Sequence, residues 1–264
     1  MENLLTLAVL GAYVLLLLWD VIAPARTFPR MRLWRLKGLL AFALYQVVGI
    51  GAPLLWDQAL ASHRLIDATG LGTFGGALLG LLVFELGVYG WHRLMHNVPF
   101  LWRHVHQTHH SAERVDVYGA FFFHPLDMLG FTLLTSVCLL FVVELTPMAT
   151  VLAVSTATFL GYFQHANIRT PRWLGYLVVR PESHALHHER GIHRYNYADL
   201  PLVDMIFGTF RNPRIWEGQA GFYDGASERL GDLLLGRDLV EQRARAEGRR
   251  EPEDGAHRSS IQPA

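Results

Sequence analysis

The sequence is short of charge. Only 17% of its 264 residues are Asp, Glu, Lys or Arg, against roughly a quarter in an ordinary soluble domain. What charge there is cancels, 23 basic against 23 acidic side chains, so no basic excess points to nucleic acid. Cysteine is nearly absent as well. Cys138 alone excludes an internal disulfide, and its apolar surroundings argue against a thiolate metal site. No repeat of solenoid length is present. Two things are abundant instead: 51% of the residues are hydrophobic, and 14 are histidine, roughly double common usage.

The apolar residues come in long runs. Leu4 to Ile22 has no charge before Asp20, Gly38 to Trp56 has none, and Leu71 to Trp91 carries only Glu85. About 20 such residues cross a 30 Å hydrocarbon core, so these are three expected spans. Met128 to Leu145 and Met148 to Gln164 are two more, joined at Glu144-Leu145-Thr146-Pro147 in what reads as a helical hairpin turn. Gly72, Gly76 and Gly80 recur every four residues, which suits close helix packing in lipid. The first run lacks the basic start and small-residue cleavage motif of a signal peptide. Arg26, Arg30, Arg32, Arg35 and Lys37 fill the first loop, so the positive-inside rule puts that loop in the cytoplasm. Counting spans forward places His63 outside and His92 and everything after His165 inside. The expected fold is all-α: a multi-span membrane bundle with a cytosolic helical cap. Its expected divisions are 1–70 (spans and basic loop), 71–216 (catalytic region) and 217–264. In the last, Glu228 to Gly248 reads as a polar helix and Arg249 to Ala264, with His257, as a disordered tail.

Twelve of the 14 histidines lie between His92 and His193. His92 and His96 are four apart. His106, His109 and His110 are spaced i, i+3, i+4, and His184, His187 and His188 repeat that spacing. Residues three and four apart share a helix face, so each box aims its imidazoles in one direction. Neutral imidazole binds first-row metals tightly. Eight box histidines exceed what one zinc site uses, and two adjacent ions, each with a position left open, fit the number better. The His-Glu-x-x-His pattern of zinc proteases is missing.

These three boxes, with Phe207-Gly208-Thr209 after Asp204, resemble the fatty acid hydroxylase and sterol desaturase superfamily over roughly Phe84 to Phe210. The resemblance implies a membrane-embedded, histidine-held di-iron (Fe2+) centre on the cytosolic side, O2 as co-substrate, and attack on an unactivated C–H bond of a lipid. That attack would be hydroxylation, desaturation or ether cleavage. It implies catalytic and metal-binding roles for His92, His96, His106, His109, His110, His184, His187 and His188. Some relatives carry a further pair of histidines four apart before the last box. Here His165 is present but Gly161 stands where its partner would be. His165 is therefore an expected ligand, with His124 and His193 as candidates for the vacancy. His104, two residues from His106, points off the shared face. His63 and His257 read as surface residues.

Glu85 is the one charge in the third run, two helical turns before His92, about 10.5 Å along the axis. It is expected to accept the free imidazole N–H of a ligand from another helix. No Gly-x-Gly-x-x-Gly, haem or iron–sulfur motif is found, so electrons are expected from a separate reductase or small redox protein. The 22 arginines against one lysine suggest a bacterial source and hence the inner membrane. The competing reading is a membrane metal transporter or sensor without redox chemistry. Transporters place polar ligands near the bilayer midplane, whereas here the histidines lie beyond the span ends.

Overall fold

The computed structural model describes residues 2–247, so His257 and the charged ending lie outside the described residues. Five long helices dominate: α1 (Glu2–Ile22), α2 (Trp34–Gly51), α3 (Gly72–Asn97), α4 (Pro125–Ser136, running on as a π-helix over Val137–Val142) and α5 (Pro147–Phe163). Among the described residues, four segments are long and apolar enough to cross a bilayer: Asn3–Ile22, Trp34–Leu55, Thr69–Asn97 and Pro125–Val142. α5, with 17 residues, is the shorter fifth apolar helix. The chain is thus an all-α, multi-pass integral membrane protein.

Prolines and caps set where α4 and α5 begin. Pro125 and Pro147 occupy the first helical turn, where a missing N–H costs nothing. His124 Nδ1 accepts from Leu126 N, and Thr146 Oγ1 accepts from Ala149 N. α3 and α5 pack through small residues. A Cβ on Gly76 would lie 3.1 Å from Ala149 Cβ, and one on Gly80 would collide with Leu145, which is the close approach that the glycine spacing predicts. Around this contact Ala77, Leu139, Val143 and Ala153 are buried.

The Glu144–Pro147 joint differs from a simple helical hairpin turn. Val143–Glu144 pairs as a two-residue parallel ladder with Ile66–Asp67, and Arg64 forms an ion pair with Glu144. Two loops meet at this end, and their backbone groups satisfy one another. At the opposite end Asp20, 6% exposed, closes α1 onto the cap: its two oxygens accept from Asn167 N and Val117 N at 2.9 and 2.7 Å. Trp34 Nε1 donates to Asp116 in the same layer.

The cap is built from residues 98–124 and 164–247. It includes α6 (Pro181–His187), α7 (Pro201–Ile206), α8 (Leu230–Leu234) and α9 (Leu239–Ala246). The expected polar helix over Glu228 to Gly248 is corrected here, because the chain breaks at Gly236 (φ 64°) and restarts at the Asp238 cap. Nor does this segment stand apart. Leu233 and Leu239 are fully buried with Phe222 against Trp102, and Gln107 accepts from Leu239 N while donating to Arg237 O.

Candidate metal centre

α3 is 26 residues long and rises about 39 Å, more than a bilayer core needs. Its last turns therefore carry His92 and His96 past the apolar stretch. The second box departs from the regular helix its spacing suggests: Trp102–His106 winds as a π-helix and Gln107–His110 as one α turn, an irregularity common at functional sites. The third box begins on α6, after Pro181.

Nine histidines converge. His92, His96, His106, His110 and His187 form one group, and His109, His165, His184 and His188 form a second. Within each group every histidine offers a nitrogen within 4.8 Å of the others. Each triplet therefore divides, its i and i+4 members entering one group and its i+3 member the other. This corrects the single direction read from the spacing. The groups share a wall, with His110 stacked on His188 at 4.2 Å between ring centroids.

Hydrogen bonds behind the rings fix which nitrogen faces inward. His92 Nδ1 donates to Tyr197 O at 2.8 Å, His187 Nδ1 to Tyr195 O at 2.7 Å, His165 Nδ1 to Gly161 O at 2.8 Å, and His106 Nδ1 to Asp127 Oδ2 at 2.7 Å. A carbonyl oxygen can only accept, so Nδ1 of His92, His187 and His165 carries the proton and leaves a bare lone pair on Nε2. The Nε2 atoms crowd together. His110 Nε2 lies 3.1 Å from His106 Nε2 and 3.2 Å from His187 Nε2; His165 Nε2 lies 3.2 Å from His109 Nε2 and 3.0 Å from His184 Nε2. Nε2 of His92 and of His96 is buried with no hydrogen-bond partner among the described residues. Two groups of buried imidazoles with their nitrogens this close, and Nε2 of His92 and His96 left without a partner, form a donor set that fits metal ions. Its all-imidazole chemistry suits first-row transition metals rather than magnesium or calcium.

Electrostatics agree. Burial, then neighbouring imidazoles, hold His106, His109, His110, His184, His187 and His188 well below the ordinary histidine range. Burial takes His165 and His193 down to about 4. Neutral imidazole is the form that binds metal.

Three candidates are placed differently from expectation. His124 is not in either group: its Nδ1 caps α4 and its Nε2 donates to Leu234 O at 3.3 Å, so both nitrogens are used. His193 stands behind His110, Nδ1 to Nδ1 at 3.1 Å, rather than among the grouped nitrogens. Glu85 faces the histidine side of α3, as its spacing implies, and is fully buried. It takes no imidazole N–H, however. Its Oε2 accepts from Asp199 N and Leu200 N at 2.8 and 3.0 Å, holding the loop that supplies Tyr197 O. His104 donates to Phe100 O outside both groups, and His63 is exposed at the far end, both as expected.

That loop is the part the sequence conceals. His193, Tyr195 and Asn196 all have left-handed backbone (φ 42°, 73° and 48°), which costs energy away from glycine. Buried Asn196 pays that cost, bonding Ser183 O through Nδ2 and accepting from Arg211 N. Asp204 accepts from Tyr197 N, Ala198 N and Thr209 Oγ1, which gives the Asp204 to Thr209 motif a structural meaning. A carbonyl acceptor has no side-chain signature. Asp127, three residues after His124, is the one outer acceptor that sequence reasoning could have found.

The sequence pattern of the fatty acid hydroxylase family matches residues 77–209. The chain belongs to that family. Among its relatives, this family member is 28% identical over 178 residues to sphinganine C4-monooxygenase 1 of Arabidopsis thaliana, covering 66% of this chain and 65% of that protein. It is 34% identical over 141 residues to ornithine lipid hydroxylase OlsE of Rhizobium tropici, covering 52% and 42%. It is 29% identical over 165 residues to Delta(7)-sterol-C5(6)-desaturase of Nicotiana tabacum, covering 60% and 57%. The chain thus spans less than two thirds of each relative's length. No solved structure matches it.

Proposed function

We propose that this hydroxylase-family chain oxidises a membrane lipid of fatty-acyl, sterol or ether-lipid type at an unactivated C–H position, by hydroxylation or desaturation. The observation that carries the reading is the pair of adjoining histidine groups at the cap end of the span bundle. The relatives' names, which cover sphinganine, ornithine lipid and sterol chemistry, support the lipid class.

His92, His96, His106, His110 and His187 would hold one iron, and His109, His165, His184 and His188 the other. Bound there, two irons supply what no side chain can, the activation of O2 with electrons from an external reductase or redox protein. The chain's own contribution is positioning and dryness. Tyr195 O, Tyr197 O, Gly161 O and Asp127 fix the tautomers, so each Nε2 presents its lone pair without reorganisation. Burial of the ligand rings keeps bulk water from the site. A lipid would lie with its chain among the spans and its head group at the cap boundary. By the basic first loop, the cap faces the cytoplasm of a bacterial inner membrane.

The test is incubation of the reconstituted protein with a bacterial lipid extract, a reductant and 18O2. Lipids carrying heavy oxygen, or lipids two hydrogens lighter, are the expected products. A lipid profile identical to that of heat-inactivated protein contradicts the reading.

A further inference from the structure

α7 is amphipathic the wrong way round for a helix facing water. Its inward face carries Val203 and Asp204, both buried, and the Asp204 carboxylate is spent on backbone N–H groups of the loop beneath. Its outward face carries Leu202 and Ile206, 52% and 67% exposed, and runs into Phe207 at 51%. Beside it the turn Arg172–Tyr176 presents Trp173 and Tyr176, 63% and 54% exposed, followed by Leu177. Val179 N bonds Asp199 O, and Tyr176 packs on Phe210 at 5.9 Å, so the two segments make one surface. A water-facing surface helix turns its polar residues outward, and six large apolar side chains in one patch call for a partner.

The depth of this patch identifies the partner. The Phe207 ring stacks on Tyr89 of α3 at 4.8 Å, and the Tyr89 hydroxyl donates to Thr209 Oγ1 at 3.2 Å. Tyr89 lies inside the apolar span Thr69–Asn97, one turn before Arg93, and lipid-facing Leu86 is 51% exposed beside it. The patch is therefore level with the inner margin of the hydrocarbon core and continuous with the lipid-facing side of α3. Exposed Arg172 and Arg211 flank it, where guanidinium groups meet lipid phosphates. Trp and Tyr favour the same level.

We propose that α7 and the Arg172–Leu177 segment form an interfacial anchor, seated in the head-group region of the leaflet under the cap. The occupant is the bilayer itself rather than a second copy of the chain. This inference concerns membrane seating and stands whether or not the oxidation chemistry is as proposed.

Nitroxide labels on single cysteines at Leu177 and Ile206, in a Cys138→Ala background, test it in phosphatidylethanolamine/phosphatidylglycerol vesicles. Asp224, 84% exposed on the cap, is the water reference, and Leu86 the lipid reference. The ratio of collisions with O2 to collisions with a water-soluble nickel chelate should be several-fold higher at 177 and 206 than at 224, approaching that at 86. A ratio equal to that at 224 overturns the anchor. So does loss of collisions with both reagents, the signature of a protein partner. An independent check uses brominated phospholipid and native tryptophan. Trp173→Phe should remove part of the quenchable emission, and an unchanged quenched fraction overturns the proposal equally.

Discussion

His106 and Asp127 form a closed pair, Nδ1 to Oδ2 at 2.7 Å, with 1% and 0% of their side chains exposed. The neighbouring His92 and His187 lean on neutral carbonyls. With a metal held at Nε2, a carboxylate at Nδ1 would make the imidazole a stronger donor than a neutral carbonyl does. Asp127→Asn keeps an acceptor oxygen and removes the charge. It should weaken metal retention at the five-histidine group about 10–100-fold, the usual effect of removing an outer partner. Chelator competition on the reconstituted protein measures this, and wild-type retention contradicts it.

The division of each triplet predicts separable losses. His109→Ala should weaken the four-histidine group and His187→Ala the five-histidine group. Each should lower bound metal toward one ion per chain and abolish turnover. Elemental analysis alongside product formation checks both. Full activity in either variant contradicts the assignment of these ligands.

Glu85 holds two buried backbone N–H groups rather than a ligand ring. Glu85→Ala leaves both without an acceptor, a cost of about 1–3 kcal/mol each. It should lower the melting temperature and loosen metal together. Glu85→Gln keeps a carbonyl oxygen at that place and should retain most of both. Equal behaviour of the two variants contradicts the loop-anchoring role.

Acid should destabilise the metal-free protein. His165 and His193 titrate at about 4 when folded and near 6.5 in an unfolded chain. Below about pH 6.5 the unfolded chain therefore takes up protons that the folded one refuses, and stability falls until pH reaches the folded value. The melting temperature should be level above neutrality and drop steadily between about pH 6.5 and 4. A flat profile across that window contradicts the buried, neutral state of these rings.

Topology is checked by single cysteines at His63 and at Glu217, exposed residues at opposite ends of the bundle, again without Cys138. In sealed vesicles they should label from opposite sides with an impermeant maleimide. Labelling from one side contradicts the span arrangement.

Much of this was legible in the sequence because lipid and imidazole both leave periodic marks. Uncharged runs disclosed the spans, and Gly76 and Gly80 disclosed the α3–α5 contact. One i, i+4 pair and two i, i+3, i+4 triplets disclosed eight of the nine grouped histidines, and the family resemblance added His165. The splitting of each triplet was not legible, because which group a ring joins depends on the histidines that other segments of the chain bring to meet it. Nor was the strained 193–196 loop, whose contribution is made through backbone carbonyls. The direction of Glu85 follows from its spacing, whereas its partners, Asp199 N and Leu200 N, do not. Spacing along α3 says where the carboxylate points, but not which backbone the 199–200 loop brings to meet it.

The most direct test of the central claim is metal analysis of the protein purified into lipid and loaded with ferrous iron, with O2 uptake followed in the same sample. Two irons per chain, magnetically coupled in the oxidised protein, with O2 uptake that tracks lipid oxidation, is the result expected of two adjoining histidine groups. A single tightly held zinc per chain with no O2 uptake would contradict it.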